Sequence, residues 1–469
     1  MFARQQTGGL CPIAGALALA ISISSPSVAH AADVEQLEAQ MRTMQAQMQE
    51  LQRQVDQAKA QAAAANKVQA QAIDMTPADD LDLKVKWKGA PELSSSDGRF
   101  KFKVRGRVNV DYNGIDQDEA ITGDPDVSAV ELRRARLGVS GTLFYDWNYK
   151  LELDFAGDNI SIKDAFIEYT GLPVDIRAGH FKTYNSLEAL MSANYTTFME
   201  KAAFIEAFSI DRLIGGGLSH YSNHWTAEAG IFATAPEANQ TTYLDDGTTY
   251  SARVTVAPIN RDRQVVHVGA STRHRDDSGD PRDGVSDPLF QYRARGADLH
   301  LADRLVSTPK IAEADTLWAL EGAVVLGPFS LQGEYAQDTV ETASALASAD
   351  PTYTGWYVSG SWFLTGESRP YEDGLFGRVK VKNSVAADGG GWGAWQIAGR
   401  YDVLDLSDQS GAIPSCTACG EQKTWLIGMN WYLNDYMRLM LNVNQSEIAG
   451  GVNDGAEITG VGMRAQMDW

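Results

Sequence analysis

Two hydrophobic periods divide the chain. From Asp33 to about Gln71 the apolar residues Val34, Leu37, Met41, Met44, Met48, Leu51, Val55 and Ala58 recur at alternating spacings of three and four. This seam, repeating every 3.5 residues, predicts a coiled-coil helix over residues 32–75. So narrow and Gln-rich a stripe is marginal as an isolated helix in water, which makes it an oligomerisation element. A lone amphipathic helix lying on the barrel or envelope is the alternative. Thr76-Pro77-Ala78-Asp79-Asp80 ends the pattern, and residues 76–98 read as a polar linker.

From residue 99 the period falls to two. In Phe100–Tyr112 every even position is apolar or Gly and every odd position is charged or polar, as in a strand with one greasy and one wet face. Such runs fall at about 100–112, 131–144, 147–155, 161–170, 173–182, 213–222, 225–234, 250–257, 263–273, 315–326, 329–338, 353–364, 392–404, 421–433, 436–446 and 456–469. Tight turns such as Tyr145-Asp146, Gly327-Pro328 and Asn434-Asp435 alternate with long polar loops. Sixteen strands put both chain ends on the short-turn side, keep Gln291–Gly296 within a long loop, and make 365–391 an unusually long connection on the short-turn side.

A soluble sandwich or propeller would bury the greasy face, whereas an outer-membrane barrel turns it to lipid. The first 31 residues favour export, with Arg4 before an apolar run Ile13–Ile21 and Ala29-His30-Ala31 as a cleavage pattern. Aromatics at the strand ends and a chain closing on Trp469 within an alternating strand point the same way. The expected fold is therefore all-β: a 16-stranded antiparallel transmembrane barrel over 99–469, preceded by a signal peptide (1–31) and an α-helical coiled coil in the periplasm.

Charge changes the picture only by exclusion. The 469 residues carry a formal net charge of −21, which argues against binding nucleic-acid phosphates. No uninterrupted apolar stretch after residue 25 is long enough to cross a bilayer as a helix. Cys416 and Cys419 have a redox or half-zinc spacing, but no second pair or nearby His accompanies them, so a local disulfide in an external loop is preferred to metal binding. His220 and His224 would not meet across a strand and turn, and Gly215-Gly216-Gly217 lacks the Lys-Ser/Thr of a nucleotide loop. No carboxylate pair stands out as an acid/base couple, and neither enzyme activity, cofactor nor metal is expected.

Several segments resemble the phosphate-selective porin O and P family. They are Glu131–Val139 with Gly141–Phe144, Trp147-Asn148-Tyr149, Lys163–Tyr169, Ala178–Lys182, Phe376–Lys380, Gly391–Trp395, Arg400-Tyr401 and Gly428–Asn434, in the same order from about residue 98 to the C-terminus. The resemblance implies a sixteen-stranded outer-membrane porin, a homotrimer in outer-membrane lipid, with the third loop folded into the pore and basic residues guiding small anions such as phosphate.

A diffusion pore needs a polar lumen, a constriction and charges that attract without trapping. Alternation places Lys101, Lys103, Arg105 and Arg107 in the lumen, and Arg134 and Arg136 on one face of the next strand, a basic strip if both faces turn inward. The same arginines could instead pair with acids and set a transverse field, as in a general porin. The constriction candidate is 183–212, whose Leu187, Leu190, Met191, Phe198, Phe204, Ile205 and Phe208 predict packing on the inner wall. Its charges are Glu188, Glu200, Lys201, Glu206, Asp211 and Arg212, acidic by two. Phosphate-specific members resembling this chain gather several lysines there, where this loop has Lys201, and their basic pair before the next strand is here Asp211-Arg212. Anion guidance, a general or cation-preferring pore, and an envelope-tethering role all remain open at this level.

Overall fold

The computed structural model describes residues 82–87, 89–123, 125–234, 247–276, 290–342, 350–385, 390–407 and 416–469, together with Gln49 and Arg53, both helical. The chain forms two units, Met1–Asp80 and Leu81–Trp469. The coiled-coil seam otherwise lies outside the described residues.

In the second unit, β1 (Leu83–Trp87) and β2 (Pro91–Ser95) form a hairpin. Both strands fall within the stretch 76–98 read as linker. The barrel follows with β3 (Lys101–Gln117), β4 (Val127–Leu143), β5 (Trp147–Asp154), β6 (Ser161–Tyr169), β7 (Asp175–Lys182), β8 (Arg212–Tyr221), β9 (Trp225–Ala233), β10 (Thr248–Arg261) and β11 (Gln264–Asp276). A two-residue pair, β12 (Arg293–Ala294) and β13 (Val306–Ser307), lies inside the loop that contains Gln291–Gly296. The barrel resumes with β14 (Ala312–Leu326), β15 (Phe329–Thr342) and β16 (Thr352–Phe363). After another short pair, β17 (Tyr371–Glu372) and β18 (Leu375–Phe376), it ends with β19 (Ala394–Asp405), β20 (Glu421–Asn434), β21 (Met437–Ala449) and β22 (Glu457–Asp468).

Sixteen of these strands make one closed antiparallel ring, each paired to the next barrel strand, and β22 returns to β3 from Ile458↔Gln117 to Asp468↔Arg107. Closure satisfies every strand edge, the condition for a sheet to sit in hydrocarbon. Where β22 runs out, β2 takes over beside β3, pairing Glu92↔Lys103 and Ser94↔Lys101. The terminal Trp469 seals this seam, exchanging backbone hydrogen bonds with Gly106 at 3.0 and 3.2 Å. Its indole lies so close that a Cβ on Gly106 would meet it at 1.9 Å.

The period-2 pattern sorts by face as expected. On β3, Val108, Val110 and Tyr112 are exposed on the outside, while Arg107, Asn109, Asp111 and Asn113 are buried inside. Trp147 and Tyr169, Phe329 and Trp362, and Trp395 and Trp431 stack in pairs beside the short turns. Tyr335, Trp356, Tyr401 and Trp425 lie in neighbouring register towards the long-loop end. Two aromatic belts flanking an apolar band match a bilayer with its two interfaces.

The lumen is not empty. The first long loop keeps to its own end with one helical turn, α1 (Glu119–Thr122). The third, 183–211, crosses the interior with two short helices, α2 (Leu187–Leu190) and α3 (Ala203–Ala207). Phe204 and Phe208 join Tyr292, Ala297 and Leu299 of the loop before β14, and Leu317, Val340, Tyr353, Tyr357 and Leu404 of the wall, in the largest apolar cluster. On the short-turn side, the connection after β16 also turns inward: Phe376 packs with Leu187, Met191, Val265, Ala323 and Val325 inside the barrel. Period and parity assign a segment to one end of a barrel, but not the direction in which it then folds.

Wall glycines receive the infolded loops. A Cβ on Gly355 would lie 2.3 Å from Phe204 Cβ, and one on Gly460 2.4 Å from Leu299. A Gly355→Val substitution is expected to leave the barrel inserted but unseat α3 at a cost of ~1–3 kcal/mol. The measurement is single-channel recording, in which the variant should show larger and noisier conductance than the parent.

Candidate permeation site in the barrel lumen

A loop that crosses a lumen exposes carbonyls and amides that need partners. Here inward side chains of the wall supply them. Arg464 of β22 donates from Nη1 to Met199 O at 2.5 Å, Arg438 of β21 to Thr196 O at 2.7 Å, Arg400 of β19 to Glu200 O at 3.2 Å, and Arg273 of β11 to Phe208 O at 2.6 Å. Asn430 Nδ2 donates to Thr197 O at 2.9 Å. The carboxylate of Glu334 accepts the Leu187 and Glu188 amides at 2.9 and 2.8 Å, holding the first turn of α2. Arg400 also reaches the other infolded loop, pairing with Asp298 at 2.5 Å. These partners come from β11, β15 and β19–β22, while Lys182 of β7 and Arg133 and Arg134 of β4 hold the loop from the other side.

Part of the lumen stays open. Between the edge of the third loop and strands β3–β9 lies a volume of about 680 Å³, lined by eleven Arg or Lys and seven Asp or Glu. A bulge in β4 shapes its wall: Asn109 pairs with Arg134 and Val110 with Leu132, leaving Arg133 as the extra residue. A bulge turns a residue off the strict alternation. Arg133, which period 2 would send to lipid, instead shares the lumen with Arg134 and Arg136, and binds Glu200 at 2.9 Å.

Many of these charges are paired. Arg136 binds Glu152 at 3.0 Å and Asp154 at 2.8 Å, Arg212 binds Asp164 at 2.8 Å, and Arg177 binds Glu168 at 2.5 Å. Four cations lining the volume have no carboxylate partner among the described residues. Arg107 donates to Ser192 Oγ at 3.2 Å. Lys182 donates to the carbonyls of Ala189, Leu190 and Met191, the free end of α2, and Lys201 shares the Ala189 carbonyl at 3.0 Å. Lys163 is half-buried, with no side-chain partner among the described residues.

Of the residues expected in the basic strip, Arg107, Arg134 and Arg136 line this volume, while Lys101, Lys103 and Arg105 lie nearer the short-turn end and do not. The acids of the third loop are mostly committed. Glu188 accepts the Ala202 amide at 3.0 Å, Glu206 binds both Arg295 and Arg304, and Glu200 is held by Arg133, Arg134 and Arg464. Burial works to raise the Glu200 carboxyl, but the three guanidiniums outweigh it and hold it well below the ordinary carboxylate range. Burial pushes the Lys201 ammonium down. Burial, with Arg133 next, pushes His300 down to about 3. Asp211 stands apart, its side chain 71% exposed with Arg212 at 3.1 Å.

At the outer end, Cys416 and Cys419 are joined in a disulfide. Their turn is pinned from both sides, Ser307 N donating to Ala418 O at 3.0 Å and Val452 N to Thr417 O at 2.7 Å. His220 and His224 separate, each facing a backbone carbonyl, Pro173 O and Ala257 O. Arg273, Arg438 and Arg464, not singled out by sequence, carry no local signal beyond an inward position, because their task depends on where the third loop lies.

A closed barrel with an apolar belt, a charged lumen and an infolded third loop that narrows it is an outer-membrane porin. The chain belongs to the family of phosphate-selective porins O and P, whose family model matches residues 102–469. It is 28% identical over 414 residues to Porin O of Pseudomonas aeruginosa, covering 81% of this chain and 90% of that one. An uncharacterized protein of Caulobacter vibrioides is 30% identical over 376 residues, 78% of this chain and 72% of that one. In fold, the chain is similar to the anion-selective porin from Comamonas acidovorans, with TM-score 0.52 and 13% identity over 79% of this chain and 100% of that one. The outer-membrane expressed OmpT of Vibrio cholerae gives 0.50 and 10% over 79% and 98%.

The pairing of Glu200 has a pH signature. Its folded value lies below 4.5, so its charge and stabilisation are present above that pH and are lost only as pH falls through the lower folded value. His300 stays neutral down to about 3. Neither Glu200 nor His300 is therefore expected to add a titration step to the zero-current potential in a salt gradient between about pH 8 and pH 5. A Glu200→Gln variant, which frees three guanidiniums, should raise the anion-to-cation permeability ratio roughly threefold.

Proposed function

We propose that this porin passes small hydrophilic anions, inorganic phosphate among them, along the open volume beside β3–β9. The observation that carries the reading is the set of Arg107, Lys163, Lys182 and Lys201, four lining cations unmatched by carboxylates among the described residues. A field of one sign in a narrow, low-dielectric passage concentrates ions of the other sign. The acidic balance of the third loop, which favoured a general or cation-preferring pore, loses its force because Glu188, Glu200 and Glu206 are each bound within the protein. Membership of a phosphate-selective family supports the same direction. With arginines largely engaged elsewhere, the passage attracts anions without wrapping them in donors, and weak, broad anion passage fits better than tight phosphate capture.

The reading includes assembly as a homotrimer in the outer membrane, with the 32–75 helix as a periplasmic coiled coil. A helix over those residues reaches ~65 Å at 1.5 Å per residue. The outer strand β1 adds an apolar surface for an assembly to cover, since Leu83, Val85 and Trp87 are more than half exposed.

Purified protein in a planar bilayer under a salt gradient should give a zero-current potential of anion sign, and Arg134→Glu with Arg136→Glu should shift it towards cations. A cation sign in the parent contradicts the reading, and absence of conductance favours an envelope-tethering role. Deleting residues 33–72 should weaken the trimer, as read by the mass of the detergent-solubilised particle.

A further inference from the structure

Asp211 is the exception among the acids of the third loop. Its backbone is fixed: its carbonyl accepts from Thr183 N at 3.1 Å and Thr183 Oγ1 at 3.3 Å, which closes the neck of the loop where it leaves β7 and enters β8. Its side chain nevertheless reaches open lumen, 71% exposed, and its one ion-pair partner among the described residues, Arg212, is already bound to Asp164 at 2.8 Å. Lys163, Lys182, Lys201 and Arg212 line the same volume. Burial works to raise the Asp211 carboxyl, but Arg212, Lys201, Lys182 and Lys163, in that order, overcome it and hold it ionised below its usual range.

A carboxylate in a volume lined by Lys163, Lys182, Lys201 and Arg212, of which Arg212 lies within ion-pair distance, has the charge and the acceptor oxygens of a small permeating oxyanion. We propose that Asp211 is the built-in counter-anion of this porin, facing the same volume as these four cations so that its charge offsets part of their pull and a permeating anion is not bound tightly. The inference rests on the anion reading above and deepens it. A cluster with nothing in it would bind a multivalent anion firmly and slow its release, because conduction requires that exit stay easy. With Asp211 present, each entering anion finds one unit of its attraction already cancelled. The side chain therefore sets affinity and flux at this point, as a specificity-determining residue.

The test is conductance of the purified, intact porin in planar bilayers, with chloride as carrier and inorganic phosphate as the added blocker. Asp211→Asn should bring saturation of chloride conductance, and half-block by phosphate, to concentrations lower by on the order of tenfold. Asp211→Glu should return both to parental values. The double variant Asp211→Asn with Lys201→Met should lose most of the gained phosphate block, a result that loss of loop packing would not produce. Unchanged saturation and block in Asp211→Asn, with an anion-selective parent, overturn this inference and leave the proposed function standing. A cation-selective parent overturns both. If Asp211→Asn fails to form the heat-modifiable barrel, the Asp211→Glu and Asp211→Ser proteins carry the same comparison, and equal phosphate block in those two also overturns the proposal.

Discussion

A loop that crosses the inside of a barrel takes its peptide groups with it, and everything in this lumen follows from how those groups are satisfied. Arg273, Arg400, Arg438 and Arg464 reach from the wall to carbonyls of the third loop, and Glu334 reaches to its amides. Charged donors make the stronger hydrogen bonds, and inside a low-dielectric shell an unpaired partner is costly. With Asn430, six wall side chains of β11, β15 and β19–β22 thereby hold one segment. Apolar packing completes the seat, Phe204 over Gly355 and Met199 over Gly462.

This fastening divides the basic residues into two populations with different duties. Arg273, Arg400, Arg438 and Arg464 of β11, β19, β21 and β22 spend donors on the loops and are lost to a passing ion. Nine Arg or Lys of β3–β8, from Arg107 to Arg212, line the open volume, and of these Arg107, Lys163 and Lys182 keep a charge unmatched by carboxylate among the described residues. A count of lumen arginines would therefore overstate the attraction for anions, and a count of loop acids would overstate the repulsion. The balance lies in which charges are already committed to partners.

The sequence made the barrel legible because its physics is local. Period-2 alternation, short turns and strand-end aromatics depend on neighbours one or two residues away, so all sixteen strands could be placed, with some observed strands running on past the expected ends, as β3 does to Gln117, and others, such as β7 from Asp175, starting later than expected. The packing of the third loop was legible for a similar reason: Phe198, Phe204 and Phe208 are too apolar for a solvated loop. What stayed hidden depends on distant partners. The β4 bulge turns Arg133 inward against the period, and nothing in Glu131–Val139 announces it. The hairpin 83–95 has no turn signal stronger than that of a linker. Residues 296–299 and 366–381 are polar or glycine-rich, and their entry into the barrel is set by Arg400, Arg253 and His267 across the lumen, as in the Arg253 to Gly374 O contact at 2.9 Å and the His267 to Tyr371 contact at 2.7 Å.

The central claim is that one half of this lumen is filled and the other carries the current. Single cysteines placed at Lys163, in the open half, and at Gln332, in the filled half where its amide oxygen accepts from Arg369 at 2.6 Å, test it directly. The measurement is channel current before and after exposure to a small anionic thiol reagent. Rapid modification and loss of current at position 163, with position 332 unreactive in the folded barrel, is the predicted result. Equal reactivity and equal block at the two positions would contradict the account.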